Sequence, residues 1–308
     1  MPTRRVQFLE GLEAFPSTAG PVRFIHYTDP YSVWCWGAQP VLRAIEYLYE
    51  GRIAVEHRIG GMFEDFTPVL KQWQKESGDK WKDGVLKFLE GVCDRCGMPF
   101  DRERVSSRLG KFRSTWPACI AAKAAFLQGE AEGSRYLRRM REAIELEGVD
   151  VDPPHAQVAL AEEVGLDTAR FDRALTSGEA RRAFDEDRAE CAQQSVSGFP
   201  TFAFQRGQVR VEIDGYQPWD HFADALSKLA PDLAPKTGNA TASEAADILS
   251  RFGRGATREV AVCLRSNDDE TELLLDELAA TGKAVRKPGG KGVMWERPGF
   301  GWGPGKDK

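Results

Sequence analysis

The spacing of apolar residues changes twice between positions 22 and 61. Residues 22–27, Val-Arg-Phe-Ile-His-Tyr, form a short apolar run that reads as a buried strand, closed by the turn Thr28-Asp29-Pro30-Tyr31. From Ser32 onward Val33, Trp34, Trp36, Val41, Leu42, Ile45 and Leu48 recur at helical spacing, and Pro40 in the second turn predicts a kink. Ile53–Ile59 then alternates like a strand and stops at Gly60-Gly61. The order β-α-β predicts two parallel strands joined by a crossover helix.

Helical periodicity dominates from residue 62 to 192, with amphipathic runs at 67–75, 84–96, 118–132, 134–147, 155–164, 168–176 and 179–194. Strand character returns at 201–205 and 209–213 around Arg206-Gly207-Gln208, which predicts a hairpin, followed by a helix over 219–229. The Pro-, Gly- and Lys-rich stretch 231–239 reads as a linker. Beyond it, runs at 243–252, 256–264 and 268–281 read as three helices, stopped by Gly253 and Gly282. Two short strands, 284–287 and 293–297, flank Pro288-Gly289-Gly290-Lys291-Gly292. Three helices and a hairpin resemble a winged helix.

Composition narrows the function classes. With 42% hydrophobic and 29% charged residues the chain has the makeup of a soluble globular protein. A formal charge of -5 gives no general attraction to phosphate backbones. Residues 243–308 hold 11 Lys/Arg and 11 Asp/Glu. The helix that would read DNA carries Asp268, Asp269, Glu270, Glu272, Asp276 and Glu277, against only Lys287 and Lys291 on the wing. The expectation is no nucleic-acid role, and a module that serves protein or intramolecular contact. No apolar run of secretory length follows Arg4-Arg5, and no stretch is long enough to cross a bilayer, so a cytoplasmic location is expected. The six scattered cysteines do not form a disulfide framework.

The candidate chemistry lies in Asp29-Pro30-Tyr31-Ser32-Val33-Trp34-Cys35-Trp36-Gly37. With His57-Arg58-Ile59-Gly60-Gly61-Met62, Trp116-Pro117-Ala118-Cys119 and Ser197-Gly198-Phe199-Pro200-Thr201-Phe202, this segment resembles the DsbA-like thioredoxin superfamily over about residues 20–230. The resemblance implies an α/β thioredoxin-like fold with a large all-helical insertion, to which the pattern of elements adds the small C-terminal winged-helix-like domain. Together they divide the chain into an N-terminal segment (1–21), a thioredoxin-like domain (22–62 and 193–231), the insertion (63–192), a linker (232–242), the winged-helix-like domain (243–298) and a tail (299–308).

In redox members a cysteine stands where Ser32 stands here. A thiol at a helix N-terminus is acidified by free N–H groups and the helix dipole. Ser32 cannot form a disulfide, so dithiol exchange at this motif is lost. The resemblance assigns Ser32, Cys35 and His26 to catalysis, with His26 where redox members carry a buried proton-exchanging acid; a satisfied core histidine is the other reading. It assigns Tyr31, Trp34, Phe199, Pro200 and Thr201 to substrate or glutathione binding, with Pro200 in the cis position. Trp36 is expected to pack its helix onto the sheet.

Cys93-Asp94-Arg95-Cys96 reads as two core sulfurs on one helix face, a second redox pair, or half a zinc site, and no second ligand pair accompanies it. Cys119 and Cys263 read as core, Cys191 as core or near the site, and His57, His155 and His221 form no set. Two functions remain open. One is thiol handling at the Ser-x-x-Cys motif, by monothiol exchange or by glutathione binding as in the similar kappa-class glutathione transferases and chromene-carboxylate isomerases. The other is a non-catalytic peptide-binding adaptor of the ClpXP-adaptor type. The partners implied are a thiol peptide, glutathione as cosubstrate, or a client protein, with no tightly bound cofactor and no metal.

Overall fold

In the computed structural model, which describes residues 4–6 and 20–302, the chain starts with β1 (Arg4–Val6), β2 (Val22–Thr28), α1 (Val33–Gly37), α2 (Gln39–Leu48) and β3 (Ile53–Ile59). Eight helices follow: α3 (Thr67–Ser77), α4 (Trp81–Cys96), α5 (Arg102–Ser106), α6 (Trp116–Phe126), α7 (Glu130–Glu145), α8 (Pro154–Glu163), α9 (Thr168–Thr176) and α10 (Glu179–Gln193). The chain then returns through β4 (Thr201–Arg206), β5 (Val209–Asp214) and α11 (Trp219–Leu229). The last elements are α12 (Ala242–Phe252), β6 (Arg254–Ala256), α13 (Thr257–Leu264), α14 (Asp268–Ala280), β7 (Val285–Pro288) and β8 (Val293–Glu296).

The main sheet has the order β1-β5-β4-β2-β3, with β2 parallel to β3 and antiparallel to β4. This is a thioredoxin-like sheet with a helical insertion between β3 and β4. β2 is buried nearly throughout because both of its faces are covered. On one face Phe24, Phe202 and Phe204 pack against Phe222 of α11; on the other Ile25, Tyr27 and Ala203 meet Cys191 of α10.

Pro40 breaks the first helix as expected. It lacks the N–H that would continue the ladder, so α1 and α2 meet at Ala38. The single helical run expected over 118–132 is two helices separated by residues 127–129, where Gly129 takes φ 152. Three short elements escaped the pattern: β1 (which pairs with β5), α5 and β6. None is long enough to show a period.

The C-terminal elements form three helices and a sheet of order β6-β8-β7, one strand more than the expected hairpin. Their core continues that of the main sheet. Ile248, Val260, Cys263, Leu275 and Trp295 share one apolar cluster with Phe24, Ile45, Phe202 and Leu226. The β7–β8 turn clasps the insertion, with Phe100 and Lys291 exchanging backbone hydrogen bonds at 3.1 and 2.8 Å. Gly290 sits at φ 64 against the Phe100 carbonyl, where a side chain would collide with the backbone. Segment 232–242 is tied down as well, through Arg206–Asp232 and through Lys236 N–H to Leu48 C=O at 2.6 Å.

Candidate functional site

Asp29 organises the turn before α1. Its carboxylate accepts from the Tyr31 and Met62 N–H groups at 2.8 and 2.7 Å, which joins the motif to the Gly60-Gly61 turn after β3. Cys119 lies 3.4 Å from the same carboxylate, and burial raises the affinity of Asp29 for a proton.

Ser32 caps α1, its hydroxyl accepting from Cys35 N–H at 3.3 Å. The same hydroxyl donates to the Phe199 carbonyl at 3.2 Å. The Phe199–Pro200 peptide is cis, and the Phe199 ring packs on Gly60. Thr201 is buried and turns its hydroxyl to the Gly198 carbonyl at 2.9 Å. The two ends of the motif therefore meet, and Ser32 is only 4% exposed.

Cys35 is fully buried, and burial pushes its thiol up. Arg141, the Ser32 and Thr28 side chains and the Asp29 backbone act in the opposite sense. His26 is not among the groups acting on the sulfur. It lies two residues back along β2, stacked on Phe202 at 4.8 Å and edge-on to His57 at 5.4 Å, with neither ring nitrogen partnered among the described residues. Thr28, on the same strand face and nearer the turn, takes the place expected of His26. The charged group there is Arg141, a guanidinium that cannot accept a proton. Burial holds His26 well below the usual imidazole range, so it is neutral at pH 7.

Trp34 lies at the mouth of the site, beside Tyr216 and Arg95. Trp36 does not pack on the sheet. It points the other way, donating to the Pro99 carbonyl at 2.9 Å, with Arg138 4.7 Å above its ring and Met294 in the same cluster. Cys93 and Cys96 are buried free thiols behind α1; the Cys96 sulfur sits against Gly37, and burial pushes its thiol up to about 12. Cys191 packs beneath the sheet near Phe199, and Cys263 lies in the main core. Among the described residues no group of three or more His, Cys, Asp or Glu is placed to hold a metal.

Sequence reading missed what adjoins the mouth. A cavity of about 280 Å³ opens beside Ser32, Trp34 and Phe199, lined by Phe63, Phe66, Trp73, Phe88 and Phe112. An aromatic chain runs into it from the motif: Tyr31 stacks on Phe112 at 4.9 Å, Phe112 on Phe66 at 4.6 Å, and Phe66 meets Trp73 edge-on at 5.3 Å. Phe88 at its rim is 56% exposed. The available signal was the density of aromatic residues in 63–73; their convergence with Phe112 and Phe88 depends on how the insertion folds back.

The family model described as thioredoxin matches residues 25–223, from β2 to within α11. The chain belongs to the thioredoxin family. Two solved thioredoxin-fold neighbours agree. A putative protein disulfide isomerase from Nitrosomonas europaea is 23% identical, with a TM-score of 0.56 over 67% of this chain and 98% of that one. The cytosolic disulfide reductase DsbM from Pseudomonas aeruginosa is 22% identical, with a TM-score of 0.51 over 68% of this chain and 93% of that one. At such identity they speak for the DsbA-like fold. Relatives by sequence extend further. The ClpXP adapter protein SpxH of Shouchella clausii is 26% identical over 93% of this chain and 92% of its own length. Its namesake in Bacillus subtilis is 25% identical over 90% and 89%. Matches of that span take in the C-terminal helices as well as the thioredoxin body. Among the described residues no helix is long and apolar enough to cross a membrane.

Proposed function

We propose that this chain is a non-catalytic adaptor that holds an apolar segment of a client protein in the aromatic groove beside its inactive thiol site and presents it to ClpXP. The observation that carries this reading is the closed state of the motif. Ser32 replaces the attacking thiol and directs its hydroxyl to Phe199, and Cys35 is fully buried with its thiol held protonated. A buried neutral thiol is a poor nucleophile, which argues against monothiol exchange. Glutathione would need the Ser32 hydroxyl turned outward, at the expense of both its present bonds.

What remains beside the closed site is a surface suited to apolar side chains. Exposed aromatic residues lining a groove mark interaction sites and supply much of the binding energy in protein complexes. The SpxH proteins, similar along nearly the whole chain, support delivery to ClpXP in particular.

The test places a photo-crosslinking amino acid at Phe88 in cells. It is expected to capture a protein whose half-life lengthens when either this chain or ClpX is removed, and Phe66→Asp should abolish both effects. A captured protein with unaltered turnover would overturn the adaptor reading. So would robust reduction of insulin disulfides by the purified chain that survives Cys93→Ser/Cys96→Ser.

A further inference from the structure

A second cavity, of about 670 Å³, lies where α2 and β3, α7, and α12 with segment 297–302 come together. It is remote in chemistry from the aromatic groove. Its wall carries six arginines, at 43, 135, 138, 141, 251 and 297, against two carboxylates, Glu46 and Glu130. Some of this charge is matched within the fold. Arg138 is held by Glu142 and Glu259, Arg43 lies 3.5 Å from Glu46, and Glu130 bonds the His57 ring at 2.7 Å.

Arg141 and Arg251 are different. Arg141 is 1% exposed, donates to the Thr28 hydroxyl, and leaves its Nε without a partner. Arg251 stands at the rim and donates to the Glu46 carbonyl at 2.8 Å. Among the described residues neither makes an ion pair. Burial lowers the proton affinity of Arg141, outweighing Asp29 and Glu145, which act on it only at a distance. A concave, low-dielectric site with excess positive charge draws anions, and guanidinium groups bind phosphate oxygens two at a time.

The outer wall is aromatic. Phe300 and Trp302 meet edge-to-face at 5.4 Å, and the Arg254 guanidinium lies 5.8 and 5.9 Å from the two rings. The Phe300 ring rests on Gly253, at φ 76, where any side chain would collide with it. The wall is thus fixed in place. A volume of this size falls in the range of about 300–1,000 Å³ typical of small-molecule sites.

We propose that this cavity binds a nucleotide, with its phosphates between Arg141 and Arg251 and its base against Phe300 and Trp302. This site is independent of the adaptor reading. Because the ligand would touch the sheet side, the insertion and the C-terminal elements together, binding is expected to raise the thermal midpoint of the full chain.

Calorimetric titration of the full chain with ATP, adenosine and pyrophosphate tests the assignment. ATP is expected to bind, adenosine at least tenfold more weakly, and pyrophosphate more weakly than ATP. Arg251→Ala, at an exposed position, and Trp302→Phe, which keeps an aromatic ring in the wall, should each weaken ATP at least fivefold. Absence of ATP binding at millimolar concentration would overturn the proposal, as would ATP affinity unchanged in both variants. Pyrophosphate binding as tightly as ATP would overturn the placement of the base.

Discussion

The hydroxyl of Ser32 donates to the carbonyl of Phe199 at 3.2 Å, joining two segments 167 residues apart in sequence. The same oxygen accepts from Cys35 N–H, so one side chain caps α1 and latches it to the strand that follows the cis proline. In a thiol enzyme of this fold the corresponding atom is the nucleophile. Here it is a structural tie.

Ser32→Ala removes both bonds while leaving the backbone unchanged. The expected loss is about 1–2 kcal/mol, the usual cost of an N-cap plus one largely buried hydrogen bond. Urea unfolding should show a lower midpoint at unchanged slope. An unchanged midpoint would mean that the hydroxyl is free for a ligand, and the glutathione reading would regain ground.

Burial pushes the Glu145 carboxyl up to about 7, from an ordinary 4.5. An acid raised on folding binds its proton more tightly in the folded state, so its contribution to stability is greatest below pH 4.5 and is lost as pH climbs to about 7. Glu145→Gln, which cannot ionise, should therefore become progressively more stable than the wild type across that window. The gain corresponds to about 3 kcal/mol above pH 7, at about 1.36 kcal/mol per pH unit. His26, lowered by burial, acts in the opposite direction in the same window, so the readout is the difference between variant and wild type. A pH-independent difference would exclude Glu145 as the titrating group.

Glu259 of α13 receives two hydrogen bonds from Arg138 of α7, at 2.5 and 2.8 Å, with both side chains buried. It links the insertion to the C-terminal elements. Glu259→Ala leaves Arg138 buried with less of its compensating charge, and a loss of about 3–5 kcal/mol is expected. Arg138→Met/Glu259→Leu should recover only part of that loss, since the buried Glu142 then keeps Arg254 as its cation but loses Arg138. A single variant as stable as wild type would show that the pair does not fasten these parts together.

Much of this protein is written locally. The switch from a strand-like run to helical spacing after Thr28, the break at Pro40, the helical block and the late hairpin all follow from period, turn chemistry and proline geometry, and the structure repeats them. The Ser32–Cys35 motif and the Gly198-Phe199-Pro200-Thr201 segment carried the DsbA-like thioredoxin fold. Sequence spacing could not say what stands beside Cys35. Arg141 arrives there from a helix more than a hundred residues away, and an arginine on an amphipathic helix reads as solvent-facing until packing buries it. The same holds for Trp36: its helical face is legible in the sequence, but whether that face meets the sheet or the insertion is not. The shared core, the aromatic groove and the arginine-lined cavity exist only because long-range packing brings distant segments together. Burial, which decides whether a thiol, a carboxyl or a guanidinium is charged and free, is set by that packing and not by neighbours in sequence.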